Sequence, residues 1–315
     1  MKVLFITSNR IGDAILSSGL LGWLVDTYRD ATFTLAAGPA AAPLFSDVPR
    51  LENIITISKQ PYAGHWRELW RACATTRWEH VVDLRGSAIS WLLWTKARSV
   101  YRPQFTQEHR VVQLARLLGL DTPPQPRIWC SGVRWDKAAK LVPESNVPLL
   151  ALGPAANWCG KQWPAGRFAE LTMKLTAPDG PFPGARVMLF GGPGEREMAL
   201  PLLHAIPEAN CIDLIGRVDL LTAYACLRKA ALYIGNDSGL MHLAAAAGIP
   251  TLGLFGPSKE VHYAPWGPHA MAVRGRQSFD DIISAPGYDH RSGQSYMTGL
   301  SVDRVYRAVN ELLAR

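Results

Sequence analysis

Residues 230–243 read Ala-Ala-Leu-Tyr-Ile-Gly-Asn-Asp-Ser-Gly-Leu-Met-His-Leu, and this stretch decides the fold. Its apolar run 232–234 predicts a buried strand, residues 235–239 predict a polar turn, and a helix is expected to begin near Ser238. The apolar residues 250–256 predict the next strand. Such a strand, turn and helix start place free backbone N–H groups at the carboxyl edge of a parallel sheet, where α/β proteins bind phosphates.

The sequence pattern allows two interpretations of the turn at residues 235–239. Gly239 lets the backbone approach a ligand closely, and Asp237 or Ser238 can cap the helix. The alternative is an ordinary β-α-β turn with a capped helix and no ligand, because such signals are common.

The composition indicates a soluble globular protein. The chain has 315 residues, of which 48% are hydrophobic and 19% charged, enough for two cores of about 150 residues each. No signal peptide and no apolar run of about 18 residues is found, so we expect a cytoplasmic protein. The five cysteines and eight histidines show no ligand spacing, and we predict neither a metal ion nor a disulfide framework.

The positive charge belongs almost entirely to the first half of the chain. Residues 1–150 carry a net charge of +6, whereas residues 151–315 carry +1. Such a bias can attract nucleic acid, an anionic membrane surface or an anionic substrate, or it can serve solubility alone. Charge is the only feature that would favour nucleic acid, so no nucleic-acid partner is expected.

Strand and helix patterns alternate along both halves, with a proline-marked join at 142–148. This alternation predicts an α/β protein with two doubly wound domains that face each other across a cleft. We place the domains at 1–147 and 148–315 and leave open that the last helix packs back on the first domain. The predicted strands are 3–7, 32–36, 53–57, 81–84, 149–152, 186–190, 211–213, 232–234 and 250–256. The predicted helices are 13–28, 66–76, 89–97, 111–118, 168–175, 196–204, 220–229, 302–313 and the one that begins near 238.

Three further polar loops follow predicted strands. In the first, Asp13 is a candidate general base or, alternatively, a first-turn or N-cap acid of its helix. In the second, Lys161 either lies beside a diphosphate or is a solvated loop lysine. In the third, Glu195 or Glu197 can accept hydrogen bonds from ribose hydroxyls, although a first-turn acid is the simpler interpretation of Glu197.

Residues 91–102 mix aromatic and basic side chains. We expect a helix that packs on the core with a basic end, and a membrane contact is the alternative.

Taken together, these motifs resemble the heptosyltransferase family, the glycosyltransferases of family 9. The resemblance covers essentially the whole chain. Its most specific part is Asn236-Asp237-Ser238-Gly239-Leu240-Met241-His242-Leu243-Ala244-Ala245 with Phe255-Gly256-Pro257-Ser258. It is supported by Lys161-Gln162-Trp163-Pro164, Gly12-Asp13-Ala14-Ile15-Leu16 and Val82-Asp83-Leu84-Arg85-Gly86.

The resemblance implies a GT-B fold, with an acceptor-binding first domain and a nucleotide-sugar-binding second domain, both Rossmann-like. It also implies inverting transfer without a metal ion or cofactor, from a nucleotide sugar such as ADP-heptose to a lipid A/Kdo-type glycolipid acceptor at the inner membrane face. Asp13 would be the base and Lys161 would offset the charge of the departing diphosphate. The implied donor-binding residues are Asp237, Ser238, Gly239, Leu240, His242 and Glu195.

The chain departs from the family pattern in two places, since it lacks the cysteine-containing stretch near 278–297 and has Lys259-Glu260 after Ser258. The departures leave the donor's identity open. The alternatives are a transferase that uses another nucleotide sugar for surface polysaccharide, a sugar-nucleotide epimerase, and a non-catalytic module that binds nucleotide sugars.

Overall fold

The computed structural model describes residues 1–103 and 106–315. The chain divides into two compact units, Met1–Ser131 and Gly132–Arg315. Each unit has one parallel sheet whose strands are separated by helices. The predicted α/β fold with two Rossmann-like domains is confirmed.

The first unit has its core around a strand whose last four residues are completely buried. Its strands are β1 (Lys2–Ile6), β2 (Thr32–Ala37), β3 (Leu51–Thr56), β4 (Trp78–Asp83) and β5 (Thr95–Val100), and its helices are α1 (Ile11–Thr27), α2 (Gly64–Cys73) and α3 (Arg110–Leu117). The sheet order is β3-β2-β1-β4-β5. The order reverses between β1 and β4, so the loops after these two strands flank a crevice at the carboxyl edge.

The second unit is a six-stranded parallel sheet covered by helices. Its strands are β6 (Leu149–Gly153), β7 (Arg186–Leu189), β8 (Cys211–Asp213), β9 (Leu232–Asn236), β10 (Thr251–Phe255) and β11 (Ala270–Arg274). Its helices are α4 (Gly132–Leu141), α5 (Ala165–Thr176), α6 (Leu200–Ala205), α7 (Leu220–Leu227), α8 (Gly239–Ala246), α9 (Glu260–Tyr263), α10 (Phe279–Ile283) and α11 (Val302–Leu313). The order β11-β10-β9-β6-β7-β8 reverses between β6 and β9.

One predicted helix is wrong and another is divided in two. The structure replaces the helix at 89–97 by a 3-10 turn, Ala88–Leu92, followed by β5, which pairs with β4 from Trp78↔Thr95 onward. Pairing with the exposed edge of β4 outweighs the helical pattern of apolar residues there. The helix at 196–204 is divided into the 3-10 turn Arg196–Ala199 and α6, because the second residue of α6 is a proline, which favours a helix start.

The ends of the second unit are set by helix packing. α4 packs against α7, so the division between compact units falls before α4, whereas the proline-marked sequence predicts a boundary at 147/148. α11 packs against α5, β10 and β11 of its own unit. In the described part of the chain no helix is both long and apolar enough to cross a membrane.

A tyrosine ring fills the space left by two glycines in neighbouring strands. Gly153 of β6 is paired with Gly235 of β9, and the buried Tyr233 lies over both. A Cβ added to Gly153 would lie 2.0 Å from the Tyr233 hydroxyl oxygen, and one added to Gly235 would lie 2.3 Å from it. The absence of two side chains therefore allows the ring to cover the β6–β9 junction.

We expect Gly235→Ala to lower the free energy of unfolding by about 1–3 kcal/mol, because the added methyl group collides with a ring that is packed on all sides. The measurement is chemical denaturation. Gly166→Ala in α5 is the matched control, since nothing lies within 4 Å of its added Cβ. An equal loss in both variants would contradict the assignment to the Tyr233 contact.

Candidate active site

The structure brings Lys161 and Asp237 together at the strand-order reversal of the second unit. The loop after β6 carries Lys161, and the loop after β9 carries Asp237. The Lys161 Nζ lies 2.5 Å from the Asp237 Oδ2. The lysine side chain is 24% exposed and the aspartate 8%, so the ion pair lies at the floor of the site with its cation open to an incoming ligand.

Asn236, the last residue of β9, joins the two loops. Its side-chain amide donates to the Pro154 carbonyl oxygen at 2.7 Å and accepts from the Trp163 backbone N–H at 3.0 Å. These partners lie at the two ends of the loop that contains Lys161. The completely buried amide thereby has a partner for both its N–H₂ group and its oxygen. Its two hydrogen bonds fix the distance between the two ends of that loop.

The start of α8 lies beside this ion pair. Ser238 occupies the N-cap position with extended backbone angles, but its side chain makes no capping hydrogen bond. Asp237 does not cap the helix either, because its carboxylate is paired with Lys161. The possible cap by the Ser238 side chain is therefore not formed, and it leaves open the N–H groups at the helix start, which begins with Gly239 and Leu240.

The other predicted donor-side residues lie close by. His242 lies in the first turn of α8 and is buried. Glu195 follows β7, and its Oε2 accepts from the Gly192 backbone N–H at 2.5 Å, which closes the glycine turn. Burial raises the pKa of the Tyr233 phenol, the charge of Glu195 raises it further, and Ser238 lowers it. Glu195, Ser238 and Tyr233 therefore share one neighbourhood.

Asp13 lies in the first unit, in the first turn of α1 and after β1. It is half-buried, and the Ser8 Oγ donates to its Oδ2 at 3.4 Å. The N-cap position belongs to Arg10, so Asp13 is a first-turn acid and not the cap. Its place beside the β1–β4 reversal also suits a group that meets a ligand.

Asp83 organises the loop on the other side of the β1–β4 reversal. Its completely buried carboxylate accepts from the backbone N–H groups of Arg85 and Ser87, both at 2.8 Å, and from the Ser87 hydroxyl at 2.5 Å. Arg85 then donates to the Asn9 Oδ1 at 3.0 Å, and this links the loop after β4 to the loop after β1. Burial lowers the pKa of Arg85, and Asp83 acts against that shift.

The sequence motifs predict a role in the site for Lys161 and Asp237. They predict none for Asn236, Tyr233 or Asp83. One signal was available, since Asn236 and Asp83 are polar residues that end otherwise apolar strands. No group of three or more His, Cys, Asp and Glu side chains placed to hold a metal ion occurs within residues 1–103 and 106–315.

Comparison with known proteins adds independent findings. The profile of glycosyltransferase family 9 (heptosyltransferase) matches residues 72–281. Lipopolysaccharide heptosyltransferase 2 of Salmonella typhimurium is 26% identical over 100% of this chain and 99% of its own length. The structure of E. coli ADP-heptose lipopolysaccharide heptosyltransferase II superposes with a TM-score of 0.77, 22% identity and coverage of 100% and 99%. A family 9 glycosyltransferase from Veillonella parvula gives a TM-score of 0.81, 21% identity and coverage of 99% and 97%.

We expect Asn236→Ala to destabilise the second unit by about 2–3 kcal/mol, since it leaves a buried backbone N–H and a buried carbonyl without partners. Thermal and chemical denaturation measure the loss. Asn157→Ala, at an exposed position of the same loop, is the control. Unchanged stability in Asn236→Ala would show that the two backbone groups find other partners.

Proposed function

The chain belongs to glycosyltransferase family 9, and from this membership we propose that it transfers a heptose from ADP-heptose to an inner-core lipopolysaccharide acceptor with inversion at the anomeric carbon. The full-length similarity to a lipopolysaccharide heptosyltransferase supports this proposal. The observation that carries the chemistry is the Lys161–Asp237 ion pair beside the start of α8.

In the proposed reaction the Asp13 carboxylate takes the proton of an acceptor hydroxyl. The hydroxyl oxygen attacks the anomeric carbon, and the bond from that carbon to the diphosphate oxygen breaks. The electron pair of that bond leaves with ADP. General-base help of this kind typically contributes about 10²–10⁴-fold in rate.

The second unit supplies the positive charge that the leaving group needs. We assign the diphosphate to the backbone N–H groups at the start of α8, formed by Ser238, Gly239 and Leu240, and to the Lys161 ammonium. The diphosphate competes with Asp237 for that ammonium, so donor binding and release are exchanges of one anion for another. His242 lies at the base of this loop, and Glu195 is assigned to a ribose hydroxyl.

Asp13→Asn is expected to lower the rate of transfer by about 10²–10⁴-fold, because the amide cannot accept the proton at that step. ADP affinity, measured by calorimetry, should stay unchanged, since the donor binds the second unit. Asp30→Asn, at an exposed position of the first unit, is the matched control. If Asp13→Asn keeps the transfer rate, Asp13 is not the general base and serves only as a first-turn acid of α1.

Donor identity has its own test, which is the thermal shift of the purified protein with ADP-, UDP- and GDP-sugars. The proposal expects stabilisation by ADP-heptose. Stabilisation by a UDP- or GDP-sugar alone would show that this sugar, and not ADP-heptose, is the donor. Stabilisation by none of them would overturn the transferase proposal.

We also propose a peripheral contact between the first unit and the anionic inner membrane face. Trp91, Leu92 and Trp94 are 55%, 66% and 66% exposed. Leu93 is buried in the core of the first unit, so the prediction that this segment packs on the core holds only in part. The Arg98 guanidinium lies 5.1 Å over the Trp91 ring, and that of Arg77 lies 5.1 Å over the Trp94 ring. Amphipathic aromatic rings with adjacent cations suit the headgroup region of an anionic bilayer.

Trp91→Ser combined with Trp94→Ser is expected to reduce co-sedimentation with phosphatidylglycerol vesicles, because it removes most of the exposed apolar area of the segment. Met173→Ser in the second unit, where the side chain is 58% exposed, is the control. Equal vesicle binding by the double variant and the unsubstituted protein would refute the contact.

A further inference from the structure

Residues 288–297, which we call the strap, lie on the loop that contains Lys161. The Tyr296 backbone N–H donates to the Gly160 carbonyl oxygen at 3.1 Å. The Ser295 hydroxyl donates to the Gln162 carbonyl oxygen at 2.5 Å, and the Cys159 Sγ lies 2.9 Å from the Gly293 carbonyl oxygen. The strap therefore holds the residues on both sides of Lys161.

Gly160 fits between two aromatic rings. A Cβ added to this buried residue would lie 2.5 Å from the Trp158 ring and 2.8 Å from the Tyr296 ring. The centroids of these rings are 6.0 Å apart, and Tyr288 packs against Tyr296 at 5.1 Å. The backbone next to Lys161 is thus fixed by ring contacts as well as by hydrogen bonds.

The strap is itself anchored to the sheet. Met297 is buried over Gly256, which follows β10, and a Cβ added to Gly256 would lie 2.5 Å from the Met297 side chain. Just beyond the strap, the Leu300 carbonyl oxygen accepts from the Trp163 Nε1 at 2.8 Å. The strap therefore connects the loop after β6 to the loop after β10.

The Lys161 loop has little internal structure to fix its own shape. It contains the 3-10 turn Cys159–Lys161, whose hydrogen bonds run from Lys161 to Trp158 and from Gln162 to Cys159. One side-chain bond joins its two ends, from the Gln162 Nε2 to the Ala156 carbonyl oxygen at 2.8 Å. Such short turns have poor hydrogen-bond geometry and hold their shape through their surroundings. The surroundings on this side are the strap.

From these contacts we propose that Tyr296 is a positioning residue. Through Gly160 it sets the direction of the Lys161 backbone, and so places the Lys161 ammonium for the diphosphate of the donor. This inference rests on the proposed function, because it uses the role given there to Lys161. Ser295 assists through its bond to Gln162.

The test is a double-mutant cycle read out by ADP affinity in calorimetry. Tyr296→Ala is expected to weaken ADP binding about tenfold, but less than about twofold in a Lys161→Met background, because residues that act through one another are non-additive. Tyr296→Phe keeps the ring and the backbone N–H. Its ADP affinity should therefore stay close to that of the unsubstituted protein. Arg291→Ala, an exposed side chain of the strap, is the matched control.

Ser295→Ala is a second variant that removes the bond to the Gln162 carbonyl oxygen and the bond from the Met297 backbone N–H, with little change in volume. It keeps the test valid if Tyr296→Ala does not fold. A smaller loss of ADP affinity that also disappears in the Lys161→Met background supports the proposal. An equal loss in both backgrounds overturns the proposal and leaves the transferase function intact. A protein that binds no ADP before any substitution overturns both.

Discussion

The two hydrogen bonds of the buried Asn236 amide are the constraint on which the donor side of the site depends. They hold the beginning and the end of the Lys161 loop to the last residue of β9. The next residue along the chain is Asp237, which pairs with Lys161. One polar residue at the end of an apolar strand thus fixes both the loop that carries the cation and the position of its carboxylate partner. Because the strand order reverses at this point, no strand crosses the space above the pair.

Pairing Lys161 with Asp237 has a physical consequence for catalysis. An ion pair with one largely buried partner costs desolvation, and the attraction between the charges offsets that cost only while the geometry is kept. A diphosphate that takes over the ammonium brings two anionic groups to the positive start of α8, whereas Asp237 keeps its backbone bond to Leu254. If the proposed function holds, the Asp237 carboxylate stays in position to take the ammonium back when the diphosphate leaves, which would favour product release as well as donor capture.

Much of this arrangement could be predicted from the sequence because it is encoded locally. The strand, turn and helix at 230–243 appear as β9 and α8, and the parallel order places the Lys161 loop beside them. What could not be predicted depends on distant partners. The segment at 88–100 has an apolar pattern that suits a helix, but an open sheet edge at β4 makes part of it a strand. The role of Asn236 depends on Pro154 and Trp163, which lie 82 and 73 residues away in the chain.

The strap contacts the Lys161 loop through hydrogen bonds and aromatic rings. The family profile matches residues 72–281, which include Lys161 and Asp237 but end before the strap. The strap nevertheless contacts residues 159, 160 and 162 directly. On the proposed positioning role of Tyr296, the placement of the Lys161 ammonium relative to the start of α8 depends on a segment beyond the matched part of the chain. On the same proposal, a smaller side chain at position 296 would shift the Lys161 ammonium without any substitution of Lys161, Asp237 or Asn236.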